Sequence, residues 1–269
     1  MSGDGTVGKA MDVLDQVAAF GRPVRFNALL AASPFPKATL YRFLQTLTRQ
    51  QLLEYNPEHQ TYSVGLRLVR LAHAAWQQSS LAPIARPHLD VLSQQIGLTV
   101  HLAQLDAGQV LYLDKRNAKQ PIEMFSQAGK VGPAYCTGIG KAMIAFEPEA
   151  TRARVLAQQS YHRFTGNTLT SPRALSEELG NIIRRGHAYD REEHEPGIIC
   201  VAVPILSAAG QVLGGLSITG ATATTSYEGL DAVVPDLQAA ARAIAADAEA
   251  WRFPAPAGTI DDIPQEVRA

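Results

Sequence analysis

The apolar positions of the first eighty residues fall into a series of helical stripes followed by a short ribbon. Val7, Ala10, Met11, Leu14, Val17 and Ala18 recur at helical spacing and predict an amphipathic helix over 7–20, stopped by Gly21-Arg22-Pro23. A shorter helix fits 27–31, with Asn27 as its N-cap. After the turn Ser33-Pro34-Phe35, Pro36 opens a third helix over 37–51. Leu40, Phe43, Leu44 and Leu47 share one side of it, and Ala38, Tyr41, Arg42, Gln45 and Arg49 lie roughly opposite. Two short runs, 53–55 and 61–64, flank a turn at 56–60 and predict a two-stranded wing. Leu66, Leu68, Val69, Leu71, Ala72 and Ala75 predict a connecting helix over 66–78, with a break at Ser79-Ser80.

Beyond residue 80 the pattern changes. A helix fits 83–95, and strands fit 99–105 and 110–115 around the turn Asp106-Ala107-Gly108. Helices follow over 137–146, 148–158 and 171–185, the last with Ser171 as N-cap and Pro172 in its first turn. Strands fit 187–191, 198–206 and 212–219, with Ala208-Ala209-Gly210 as the turn between the last two. A long Ala-rich helix over 227–251 closes the series. Strands bracketed by helices, without a βαβ repeat, give an α+β sheet domain. The expected organisation is a winged helix-turn-helix over 6–66, a linker helix over 67–80, a sensor-like domain over 81–252 and a mobile, Pro-rich and acidic tail over 253–269.

Composition narrows the function. The chain has 269 residues and 46% hydrophobic composition, enough core for about two domains. A formal net charge of -1 gives no general affinity for nucleic acid, so any such contact is local. Cys136 and Cys200 cannot staple a chain of this length and read as free thiols of a reducing cytosol. No leader-like start and no apolar run near ~18 residues occurs, which points to a cytoplasmic protein with no membrane partner.

Against this neutral background the helix at 37–51 carries Lys37, Arg42 and Arg49 and no acid. In a helix-turn-helix the second helix enters the major groove of double-stranded DNA. Thr39 and Tyr41 suit phosphate oxygens, and Arg42 and Gln45 suit purine edges. The candidate DNA-reading set is therefore Lys37, Ala38, Thr39, Tyr41, Arg42, Gln45 and Arg49. The same face also reads as an ordinary solvated helix surface; the wing immediately after it favours DNA.

These residues form a familiar set. Pro36-Lys37-Ala38-Thr39-Leu40-Tyr41-Arg42, Leu53-Glu54 and Tyr62-Ser63-Val64-Gly65-Leu66-Arg67-Leu68 resemble the N-terminal domain of the IclR family of bacterial regulators. Cys136-Thr137-Gly138-Ile139-Gly140-Lys141-Ala142, Tyr189-Asp190-Arg191-Glu192-Glu193, the run 197–205 and the run 214–220 resemble that family's sensor domain. The resemblance spans about residues 6–252. Two departures stand out: Pro34 replaces a turn glycine, and Gln50-Gln51 replaces an acidic-glycine pair. The resemblance implies a GAF-like effector domain with a central antiparallel sheet, a homodimer or tetramer, and control of a catabolic operon by a small organic acid or aromatic. It implies repression as the commoner mode, with no cofactor, metal or catalytic residue. Effector contacts are implied at Thr137, Gly138, Ile139, Asp190, Cys200, Ser217 and Thr219.

The residue chemistry is compatible with that assignment. Thr137 caps a helix starting at Gly138, whose free N–H groups attract a carboxylate. Asp190 accepts from ligand hydroxyls, and Ser217 and Thr219 share one face of a strand. A hydroxy, keto or sugar acid suits these groups better than a hydrocarbon. Without the resemblance Asp190 reads as a turn residue, Ser217 as a satisfied core hydroxyl and Cys200 as a small buried apolar group. The segment 138–142 is no phosphate loop, because Tyr135 and Ala142 stand where Gly and Ser or Thr belong. His187 and His194 with Glu192, Glu193 and Glu195 lack tight metal-ligand spacing, and the acids read as a solvated edge. The competing reading is a GAF-fold enzyme with a reactive Cys200 or Cys136, for which nothing orients His194 as a base.

Overall fold

The computed structural model describes residues 5–79, 81–119 and 123–250. The chain divides into two compact units, residues 1–78 and 79–269.

The first unit runs α1 (Thr6–Ala19), β1 (Val24–Arg25), α2 (Phe26–Ala32), α3 (Lys37–Arg49), β2 (Leu53–Asn56), β3 (Thr61–Val64) and α4 (Leu66–Ser79). Leu40, Phe43, Leu44 and Leu47 of α3 are the core as their stripe predicts, and they pack with Leu29 and with Val13, Leu14 and Val17 of α1. Of the stripe expected on α1, Val7, Met11 and Ala18 face outward, and Val13, which it omitted, is buried. The strands form an antiparallel sheet in the order β1-β3-β2. β1 was not expected, since two residues carry no periodicity. Because it runs directly into α2, the N-cap is Arg25 and not Asn27, and no side chain caps the helix.

α3 ends two residues earlier than expected. Gln51 adopts a left-handed φ of 58°, and its N–H donates to Thr48 O while Leu52 N–H donates to Leu47 O. This crossed pair of bonds is a Schellman ending, which usually places glycine where Gln51 stands. At the wing tip Asn56 Oδ1 accepts from Glu58 N and His59 N at 2.9 and 3.1 Å, which fixes the turn.

The second unit runs α5 (Ala82–Ile96), β4 (Thr99–Asp106), β5 (Gln109–Arg116), β6 (Val131–Gly132), α6 (Gly138–Phe146), α7 (Glu149–Gln158), α8 (Pro172–Arg185), β7 (Ala188–Arg191), β8 (Ile198–Leu206), β9 (Val212–Ala221), α9 (Tyr227–Ala232) and α10 (Val234–Ala250). The strands form one antiparallel sheet in the order β6-β5-β4-β9-β8-β7. The architecture is α+β, as the alternation of elements implied. Ser171 caps α8 by accepting from Ala174 N at 3.2 Å.

Helices cover both faces of this sheet. A Cβ on Gly215 would meet Ile139 and Met143 of α6, whereas one on its neighbour Gly214 would meet Leu81, at the start of α5. α10 lies with α5, packing against it and against β8 and β9. The helix expected over 227–251 is two helices, α9 and α10, broken at Val233. Pro235 explains the break: it lacks an N–H and clashes inside a continuous helix, but fits the first turn of a new one. Trp251, the tail at 253–269 and Ser80 of the expected break lie outside the described residues.

Candidate nucleic-acid interface and ligand cavity

Burying Leu40, Phe43, Leu44 and Leu47 turns the opposite side of α3 outward. Lys37, Ala38, Tyr41, Arg42, Gln45 and Arg49 are exposed there, and Thr39 is half-buried. A groove of about 640 Å³ between α3 and the wing is bordered by Lys37, Ala38 and Tyr41 on one side and Tyr55 and Tyr62 on the other. Tyr55 and Tyr62 are cross-strand partners, with ring centroids 4.9 Å apart. Arg25 of β1 adds a cation to the groove. The sequence reading missed it, because only the unexpected pairing of β1 with β3 carries it there.

In the second unit the strand register assembles a polar patch. Asp190 of β7 pairs with Cys200 of β8, which pairs with Thr219 of β9. One row along, Ala202 pairs with Ser217, and Ser217 pairs with His101 of β4. Alternation places Ser217 and Thr219 on the same side as Gly215, towards α6. The helix comes close here: a Cβ on Gly138 would lie 2.6 Å from Cys200 Sγ and 3.0 Å from Asp190 N. Only glycine allows that approach.

Thr137, Gly138, Ile139, Asp190, Cys200, Ser217 and Thr219 all line one small cavity of about 30 Å³. His101, Tyr112, His194, Glu195 and Ile198 complete its walls. A water needs about 10–15 Å³ on this measure, so an organic acid enters only if the walls part. The closing contacts are identifiable: the Glu195 carboxylate accepts from Phe125 N at 3.1 Å, and the His194 ring meets Phe125 and Phe164 edge-on. Thr137 occupies the N-cap position of α6 but does not cap it; its hydroxyl donates to Pro133 O at 2.8 Å. The first-turn N–H groups of α6 are thus left without that side-chain acceptor.

The acids at 192–195 are not the solvated edge that was expected. Glu193 is 4% exposed and its carboxylate accepts from the fully buried Lys141 ammonium. Its backbone is held as well, with N–H donating to Asp190 Oδ1 at 2.7 Å and the carbonyl accepting from Thr168 Oγ1 at 2.6 Å. Burial dominates the local electrostatics. It pushes Asp190 up to about 7, with the neighbouring Glu193 charge adding and Lys141 opposing. It pushes the Cys200 thiol up to about 12 and raises Cys136 as well, so neither is held as a thiolate nucleophile. His101 is held down at about 3 by burial and by the Lys115 charge, and stays neutral.

Sequence reasoning missed His101 and Tyr112 as walls of this cavity, and the buried Lys141–Glu193 pair that lies behind Asp190. Lys141 had left a signal: a single cation in an otherwise apolar helix must find a buried partner. Among the described residues no group of three or more His, Cys, Asp or Glu could hold a metal ion. No described helix is long and apolar enough to cross a membrane.

Residues 73–246 match the family model described as bacterial transcriptional regulator IclR C-terminal, and residues 6–57 match the IclR helix-turn-helix domain. The chain belongs to the IclR family. It is 33% identical over 243 residues to the HTH-type transcriptional regulator KdgR of Escherichia coli K12, covering 90% of this chain and 92% of that one. It is 27% identical to the transcriptional repressor IclR of the same organism, over 79% of this chain and 78% of that one. The crystal structure of Thermotoga maritima IclR superposes with a TM-score of 0.71 at 29% identity, over 90% of this chain and 97% of that one. As an IclR-family member the protein is a DNA-binding transcription regulator with a C-terminal effector-binding domain, not an enzyme. The reactive-cysteine reading is set aside on the family and on the raised thiol pKa values together.

Proposed function

We propose that this regulator represses a catabolic operon in the cytoplasm and is relieved by a small hydroxy, keto or sugar acid held in the cavity beneath α6. The observation that carries the reading is convergence: Thr137, Gly138, Ile139, Asp190, Cys200, Ser217 and Thr219, drawn from α6 and three strands, border one cavity. The N-terminus of α6 supplies oriented N–H groups for a carboxylate, and Asp190 with Ser217 and Thr219 supplies partners for hydroxyls. The relative named a transcriptional repressor supports repression as the mode. Operator DNA is read by Lys37, Ala38, Thr39, Tyr41, Arg42, Gln45 and Arg49, and the working form is a homodimer or tetramer. The acid acts by favouring one arrangement of the heads, which requires unequal affinity for the two arrangements.

Thermal unfolding with gluconate, glycolate or pyruvate tests the site. An acid present at a hundred times its Kd stabilises the fold by about 2.7 kcal/mol, or roughly 5–10 °C. The expected result is that rise for at least one acid in the wild type and its loss in Gly138→Ala, whose methyl group presses on Cys200 Sγ. An equal rise in both proteins puts the acid elsewhere, and no rise in either removes the acid reading.

A further inference from the structure

The sheet wall of the cavity includes a histidine that the effector assignment above does not use. His101 is 3% exposed, and its Nε2 lies 2.7 Å from Ser126 Oγ, a firm hydrogen bond. Its Nδ1 faces Ser217 Oγ and Thr219 Oγ1 at 3.4 Å each, near the outer limit for such a bond. One ring nitrogen is therefore fixed, while the other is shared loosely by two rotatable hydroxyls at the cavity wall. The Tyr112 ring meets the imidazole edge-on at 5.5 Å and limits its movement.

Two facts define what this wall can accept. Among the described residues no Lys or Arg lines the cavity, and Lys115, whose charge bears on His101, commits its ammonium to Ser126 O, so no cation meets an anion directly at this wall. The imidazole stays neutral, presenting one donor and one acceptor. A hydroxyl, which both donates and accepts, meets both conditions. A methylene in the same place would leave Nδ1 and two hydroxyls poorly paired, which costs binding.

We infer that His101 is a specificity-determining residue that reads a hydroxyl of the effector, so that the protein discriminates a hydroxylated acid from its deoxy counterpart. The inference rests on the acid reading given above. It narrows the effector class from hydroxy, keto or sugar acids to those bearing a hydroxyl.

Isothermal titration of the full chain with gluconate and with hexanoate, two six-carbon acids, tests it. The wild type is expected to bind gluconate more tightly. His101→Leu is expected to lose about tenfold or more for gluconate while its hexanoate affinity stays within about threefold, the loss of one buried hydrogen-bonding site. His101→Gln, which keeps a donor and an acceptor, is expected to restore most of the preference. Should His101→Leu fail to fold, Ser126→Ala serves instead; by unpinning Nε2 it is expected to narrow the same gluconate-to-hexanoate ratio. An unchanged ratio in the folded variants overturns the inference. Equal wild-type affinity for the two acids overturns it while leaving the acid reading intact, and binding of neither acid overturns both.

Discussion

Burial holds the Asp190 carboxyl at about 7, above the ordinary carboxylate range, and so couples this residue to stability as well as to ligand. A carboxyl raised in the folded state contributes stability that is complete below its unfolded pKa of about 3.9 and is lost as pH rises through about 7. His101 works in the opposite sense: its folded pKa of about 3 lies below the usual 6.5, so its contribution is lost as pH falls from 6.5 towards 3. Between about pH 4 and 6.5 the two slopes oppose each other. Asp190→Asn keeps the acceptor for Glu193 N and removes the ionisation. Urea unfolding at pH 6 and pH 8.5 is expected to show the variant gaining on the wild type with rising pH, by about 1.4 kcal/mol. A difference that stays constant across that range contradicts the account. At this scale the sequence showed which residues were chemically capable, but not which ones meet. His101 joins Ser217 only through the β4–β9 register, a pairing of segments far apart in the chain that no local pattern encodes. Asp190, Cys200, Ser217 and Thr219, which line one cavity, were singled out only through the family resemblance, since each reads innocently in its own window.

The helices were the most legible elements, because stripes such as Leu40, Phe43, Leu44 and Leu47 report a buried face directly. The misses have local causes. β1 and β6 are two residues long and have no period to detect. The end of α3 was misplaced because Gln51 holds a left-handed conformation that its side chain does not advertise. That conformation costs a non-glycine residue about 1–2 kcal/mol, and Gln51 is exposed, so its side chain supports no core contact. Gln51→Gly is expected to stabilise the N-terminal unit by about 1 kcal/mol, the strain relief being offset in part by the added freedom of the unfolded chain. Thermal unfolding of the full chain checks this; an unchanged or lowered midpoint shows that the Gln51 conformation is not a net cost.

Across the whole molecule the formal charge is near zero, yet the outward face of α3 gathers Lys37, Arg42 and Arg49 with no acid on that helix. A near-neutral protein with a cationic face on α3 is suited to local phosphate contact rather than to indiscriminate adhesion. The second unit contributes a small cavity of about 30 Å³ that must widen to take the proposed acid, so on that proposal occupancy and conformation are linked there. The two compact units meet at residues 78 and 79, close to where the pattern of apolar positions changes. The chemistry of the cavity was legible only in part, since its ion pair and its histidine wall depend on packing between distant segments. The most direct test is binding of the full chain to the DNA upstream of its own gene, footprinted across a salt series with and without gluconate. The account predicts a discrete footprint, affinity falling with salt by a log–log slope of about -0.9 per phosphate contacted, and a further fall of about 5–150-fold with gluconate. Weak binding equal to that on scrambled DNA, unmoved by any acid tried, would contradict it.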